Sequence, residues 1–283
     1  MTLVAGIDAG GTKLAVALVD PDAGRIVERL ETPTERQRGG HAVLKDCLEL
    51  LRKVSRGRTI AAIGVGVPEL VSLEEKIQTA ENWDWRDDRF RPALTEIAPL
   101  HIESDVRAAA IAEARFGAGR ALSSFLYLTI GTGVSHTFVV SGLPWRGARG
   151  NAIVTGAPPV ELVASGAALA AQARKRSGKD VLATPGDEPL VEAAAQALGA
   201  GLAALVNALD PEAVVVGGGL GLAPGFRQRV AARMRPQIYA ASTRDLAVYP
   251  SELGVHAGVV GAAVAAADAF QLAARPAKPP WVR

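Results

Sequence analysis

The chain has 283 residues, 49% of them hydrophobic and 21% charged, and its 31 Lys and Arg against 29 Asp and Glu leave a formal charge of +2. That balance describes a globular protein of two ordinary domains and excludes a disordered or fibrous chain; it gives no basis for a nucleic-acid partner. The single cysteine, Cys47, allows no intrachain disulfide, no run approaches the ~18 apolar residues of a membrane span, and Asp8 follows the N-terminus too closely for a signal peptide, so a reduced, cytoplasmic protein without a membrane partner is expected. The arginines between Arg25 and Arg38 are interrupted by acidic residues and read as a solvated face.

In chain order, residues 3–7 predict a strand ending in Asp8, Ala9, Gly10, Gly11, Thr12 and Lys13. A second strand over 14–19, a tight turn at 20–24 and a third strand over 25–31 follow. Residues 41–54 are amphipathic, and residues 60–67 are apolar, β-branched and Gly-punctuated, as suits a buried strand ending at Pro68. His101 and Ile102 form a short strand leading to Ser104 and Asp105, and residues 106–116 then predict a helix stopped by Gly117.

The opening pattern recurs about 120 residues later. A strand over 125–130 ends in Gly131, Thr132 and Gly133, followed by a strand over 137–140 and a turn at 141–144. Residues 160–175 and 190–209 predict Ala-rich helices, 213–216 a buried strand ending in Gly217, Gly218 and Gly219, and 257–272 a last helix before a Pro-rich tail at 276–283. The repetition predicts a duplicated unit, with one lobe over 1–117 completed by the C-terminal helix (257–283) and a second lobe over 118–256.

A turn of Gly and Thr after a strand lets backbone N–H groups approach phosphate oxygens, with Thr hydroxyls as further donors. Any single one of these turns is explained by chain reversal; three in one chain, two at duplicated positions, point to a bound polyphosphate gripped from both sides. No G-x-x-x-x-G-K-[ST] occurs, which excludes a P-loop, and Leu222 stands where a dinucleotide fingerprint needs its third Gly.

The segments GIDAGGTK (6–13), GVGVP (64–68), ESDVRAAAIAEARFGAG (103–119), YLTIGTGV (127–134) and VVVGGG (214–219) resemble those of ROK-group sugar kinases, and the likeness covers almost the whole chain. The resemblance implies a duplicated α/β fold of the actin-like ATPase (ribonuclease H-like) type, two lobes each with a mixed central sheet flanked by helices and a cleft between them. It implies ATP and Mg²⁺, a homodimer, a first phosphate loop at Asp8, Gly10, Gly11, Thr12 and Lys13 with Asp8 holding Mg²⁺ through water, and a second at Thr129, Gly131, Thr132 and Gly133. Gly217, Gly218 and Gly219 would lie against the adenosine, and Gly66, Asn82, Ser104, Asp105 and Glu161 would line the acceptor. Asp105, read alone as a helix cap, becomes in this context the base that takes the proton of a sugar hydroxyl attacking the γ-phosphoryl group.

Where such kinases carry a sugar-binding Glu and His, this chain has Val154 and Ala157, and Ser104 replaces the usual Asn. The Cys-rich zinc knuckle is absent, and with one Cys and four unclustered His no zinc site is expected. Glu161 is either an acceptor ligand or a favourable first-turn carboxylate, and His136 either faces solvent or replaces a substrate contact. The expected activity is ATP-dependent phosphorylation of a sugar or sugar-like alcohol in an atypical pocket; the alternatives are a kinase of a cyclitol, aminosugar or deoxysugar rather than glucose, or a non-catalytic nucleotide- or sugar-binding regulator.

Overall fold

The computed structural model describes residues 2–80, 90–156 and 159–272. Asn82, Ala157 and the tail at 276–283 lie outside them. Contacts divide the chain into two compact units, Met1–Phe116 with Arg146–Asn151 and His256–Arg283, and Gly117–Trp145 with Ala152–Val255.

In the first unit, β1 (Val4–Ala9), β2 (Lys13–Asp20) and β3 (Arg25–Pro33) are followed by α1 (Gly40–Ser55), β4 (Ala62–Val67), α2 (Phe90–Thr95), β5 (Leu100–Ser104) and α3 (Asp105–Phe116). The sheet order is β3-β2-β1-β4-β5. β1 pairs antiparallel with β2 and parallel with β4, and β4 pairs parallel with β5. β4 is buried at every residue and β1 at all but Asp8, as expected of central strands covered on both faces. α1 presents Val43, Leu44, Cys47, Leu51 and Val54 to the core, and burial pushes the Cys47 thiol up to about 12.

The second unit holds β6 (Ser124–Ile130), β7 (Val134–Val140), β8 (Leu143–Pro144), α4 (Glu161–Ala164), α5 (Gly166–Ala173), α6 (Gly178–Ala183), α7 (Glu188–Leu209), β9 (Ala213–Gly217), α8 (Phe226–Met234) and β10 (Ala247–Pro250). Its order, β8-β7-β6-β9-β10, matches the first sheet strand for strand. β6 pairs antiparallel with β7 and parallel with β9, and the outer pairs are antiparallel β7–β8 and parallel β9–β10. The duplicated α/β fold is therefore present in the ladder pattern itself.

α9 (Ala257–Ala269) packs in the first unit on β1, β4 and α3. Its approach is too close for side chains: a Cβ on Gly6 or Gly64 would collide with the carbonyl of Val259 or Ala262, and one on Gly261 with the Ala108 carbonyl. The glycines of GIDAGG and GVGVP are thus partly packing residues.

Some elements differ from the sequence reading. The helix over 160–175 is two helices, broken at Ser165, whose extended backbone (φ −74°, ψ 160°) and hydroxyl cap the second by accepting the Ala168 N–H at 3.1 Å. Leu143–Pro144 is a short edge strand where a turn is expected. β10 has no apolar run to announce it because it is only half-buried. α7 is long and apolar enough to cross a membrane by length and composition alone, where the sequence reading finds no such run; in the structure Leu198, Leu202 and Val206 are buried in the core of the second unit.

Candidate active site

The first turn joins β1 to β2 through Gly10–Lys13, with Ala9 opposite Leu14. Thr34, just beyond β3, ties down its carbonyl side: its N–H donates to Thr12 O at 2.9 Å and its hydroxyl to Gly10 O at 2.8 Å. Asp8 is half-buried at the end of β1, in register with Gly66 on one side and Ala15 on the other. A Cβ on Gly258 of α9 would collide with its carboxylate, so the helix is glycine where the Asp needs room. Desolvation pushes the Asp8 carboxyl up to about 6, opposed by the charges of Arg29 and Lys13. Lys13 is ion-paired with Glu31 at 2.8 Å, and Arg29 shares that carboxylate at 2.5 Å; the hydrogen bonds of Lys13 and Arg29 hold Glu31 below the usual carboxylate range.

Among the described residues no group of three or more His, Cys, Asp or Glu is placed to hold a metal ion. Asp8 alone still fits Mg²⁺, which keeps several waters and needs one or two carboxylates plus substrate phosphates. A nearby cation would supply what burial takes from the ionised carboxylate.

Asp105 opens α3 directly after β5, and the Val106 N–H donates to its Oδ1 at 2.6 Å. Gly66 lies beside it, a built Cβ there being 3.5 Å from Asp105 Cα. Behind Asp105 stands a polar cluster that sequence reasoning missed. Glu103, 1% exposed, accepts the Ser104 N–H at 2.8 Å, Arg107 Nε at 2.6 Å and Arg146 Nη2 at 2.5 Å. The guanidinium of Arg107 also donates to Gly150 O at 2.7 Å and Val71 O at 2.9 Å. A fully buried Arg with every bond directed at a fixed acceptor rigidifies the backbone that carries Ser104 and Asp105, and it holds Arg146–Asn151 in the first unit. The Glu–Arg spacing of i,i+4 is the only signal of it in the sequence. The Ser104 hydroxyl is buried without a partner among the described residues.

In the second unit, Thr129 lies in register between Ser135 and Gly217, and the turn Gly131–Gly133 joins β6 to β7. Its carbonyls are tied back by the start of α5, with Gly166 N–H on Gly131 O at 2.8 Å and Ala167 N–H on Thr132 O at 3.1 Å. Gly218 (φ 79°) packs on the Ile130 backbone and Gly217 on the Tyr127 hydroxyl, which brings the third turn against the second. Glu161 Oε2 accepts the Val134 N–H at 2.6 Å, and a Cβ on Gly133 would lie 2.5 Å from that oxygen.

His136 does not face solvent. It is 7% exposed, its Nδ1 is 2.9 Å from Thr155 Oγ1, and its N–H donates to Ile153 O at 3.0 Å. Burial pushes its imidazole down to about 4, so it is a neutral pin holding residues 153–155 to β7. Val154, on that segment, is about half exposed.

The profile of the ROK family matches residues 4–269. A glucokinase of Halalkalibacterium halodurans is 28% identical over 90% of this chain and 92% of its own length. The bifunctional enzyme NanE/NanK of Brucella melitensis is 33% identical over 94% of this chain and 54% of its own. The crystal structure of a ROK family glucokinase from Streptomyces griseus, in complex with glucose and AMPPNP, superposes with a TM-score of 0.82 at 27% identity, covering 94% of this chain and 99% of that one. With both sheets, the glycine turns and the helix-opening Asp inside the matched region, the chain belongs to the ROK family.

Proposed function

We propose that this chain is an ATP-dependent kinase that transfers the γ-phosphoryl group to a hydroxyl of a sugar or sugar-like alcohol, and that plain glucose is a poor acceptor. The observation that carries the chemistry is Asp105, set at a helix start on a backbone fixed by the buried Glu103–Arg107 pair. Asp105 takes the proton of the acceptor hydroxyl as its oxygen bonds to the γ-phosphorus and the bond to the β-phosphate oxygen breaks, releasing ADP. Such a transition state is loose, so orientation matters more than basicity.

In this reading the turn at Gly10, Gly11, Thr12 and Lys13 and the turn at Thr129, Gly131, Thr132 and Gly133 hold the phosphates. Gly217, Gly218 and Gly219 lie against the adenosine. Asp8 is the residue that would hold Mg²⁺, through water, and a cation there would supply neutralisation of charge on the phosphates. Lys13, ion-paired with Glu31, is released to phosphate only in exchange for that partner.

Gly66, Asn82 and Ser104 are assigned to the acceptor with Asp105. Glu161 is held by one oxygen on the Val134 N–H, which leaves Oε1 for an acceptor hydroxyl. The half-exposed Val154, where the family's sugar-binding Glu stands, supports an acceptor with an apolar or altered edge, because an apolar wall desolvates a hydroxyl without returning its hydrogen bond. Deoxysugars, N-acylated or other aminosugars and cyclitols fit. A screen of acceptor-stimulated ADP release over these and glucose tests the reading. Turnover with one of them, at a KM well below that for glucose, is expected; efficient phosphorylation of glucose at micromolar KM contradicts the pocket assignment, and no stimulation by any acceptor contradicts the kinase.

A further inference from the structure

A basic side chain lies where the glycine turns of the second unit meet. A Cβ built on Gly219 would be 3.3 Å from Lys179 Cε and 3.7 Å from its Nζ, with no other atom within 4 Å. By the same construction Gly131 lies 4.0 Å from the Gly219 nitrogen, so Lys179, the third turn and the second turn are successive neighbours.

Backbone packing brings the lysine there. Gly178, just before it, is buried so tightly that a Cβ would be 2.7 Å from Gly166 Cα and 3.1 Å from Leu220 Cδ1. Gly166 in turn donates its N–H to Gly131 O at 2.8 Å. The start of α6 therefore cannot move without disturbing the second turn. Lys179 makes no hydrogen bond or ion pair among the described residues, and the adjacent Asp180 carboxylate is engaged by the Ser177 hydroxyl at 3.0 Å. An unpaired ammonium is usually a solvated charge; this one extends over a glycine whose missing side chain leaves a ligand room, beside a turn built to accept phosphate.

We propose that Lys179 contacts the nucleotide, its ammonium binding the phosphate nearest the ribose, where the adenosine-facing turn at Gly217–Gly219 adjoins the phosphate turn at Gly131–Gly133. The proposal rests on the reading of the chain as an ATP-dependent kinase. It assigns Lys179 an anionic ligand and no part in proton transfer.

Calorimetric titration with ADP and with adenosine, on the parent, Lys179→Met and Lys179→Arg, tests it. Lys179→Met should weaken ADP about tenfold, the scale of one charge-assisted contact at a partly solvated site. Adenosine should bind the variant within about twofold of the parent, and Lys179→Arg should recover most of the ADP affinity. Unchanged ADP affinity in Lys179→Met, or equal weakening of ADP and adenosine, overturns the proposal while leaving the kinase reading intact. A parent that binds no ADP overturns both.

Discussion

The two turns come from equivalent strands, yet their surroundings differ. Asp8 in β1 lies in register with Gly66 of its parallel neighbour; Thr129 in β6 lies in register with Gly217. At corresponding points of a duplicated ladder, one unit has a half-buried carboxylate and the other a hydroxyl. The first turn is anchored by Thr34, through its backbone N–H and its hydroxyl, and flanked by the ion-paired Lys13, Glu31 and Arg29. The second is anchored by the start of α5, packed against a further glycine turn, and contacted by Glu161. The scaffold fixes where a strand end presents its backbone, and the residues placed on it set the chemistry that each end offers.

The largest expected effect separates Asp8 from Thr129. Asp8→Asn should lower turnover by about 10²-fold or more and raise the Mg²⁺ concentration that turnover needs, whereas Thr129→Val should cost only a few fold and leave that concentration unchanged. A metal titration of kcat for both variants checks this, and equal losses would erase the distinction between the turns.

Within the second unit, Gly218→Ala puts a side chain on a left-handed backbone against Ile130, where no flexible group can yield. It should cost about 3 kcal/mol of stability and most of the ADP affinity. Denaturant unfolding with parallel ADP titration is the measurement, and a cost under about 1 kcal/mol would contradict the packing described.

His136 supplies the pH dependence. Its imidazole is held near 4 in the fold and titrates near 6.5 when unfolded, so the unfolded chain binds the proton first as pH falls. The stability it contributes is complete above about 6.5 and is lost as pH drops toward 4, amounting to about 3 kcal/mol. Melting curves of the parent and His136→Asn across that window should converge as the pH falls; a constant difference would show that His136 does not titrate as its burial requires.

The smallest effect is a coupling. Gly133→Ala crowds the Glu161 carboxylate and should cost about 1–2 kcal/mol through the bond to Val134. In a Glu161→Ala background the same change should cost almost nothing. Additive effects would show that Gly133 is glycine for another reason.

Much of this was legible in the chain because it depends on local chemistry. Apolar runs ending in Gly, Thr and Asp define β1, β4, β6 and β9, and a recurring strand order reveals the duplication. The rest depends on long-range partners that leave no periodic signal. Nothing around Thr34 announces that it anchors the first turn, and the entry of Arg146–Asn151 into the first unit is set by Arg107, a cation that an Ala-rich helix hides in its buried face. The reading of His136 as solvent-facing failed because the partner that buries it, Thr155, lies beyond the next strand. Nor does the sequence show that Gly6 and Gly64 make room for α9, Gly217 for Tyr127 and Gly133 for Glu161.

In the proposed mechanism Asp105 acts in the transfer while the turns hold the nucleotide. Steady-state transfer by Asp105→Asn, measured beside its ADP affinity, tests it most directly. ADP binding within about twofold of the parent and transfer lowered by about 10²-fold or more are expected; transfer within a few fold of the parent, at equal ADP affinity, would rule out Asp105 as the base.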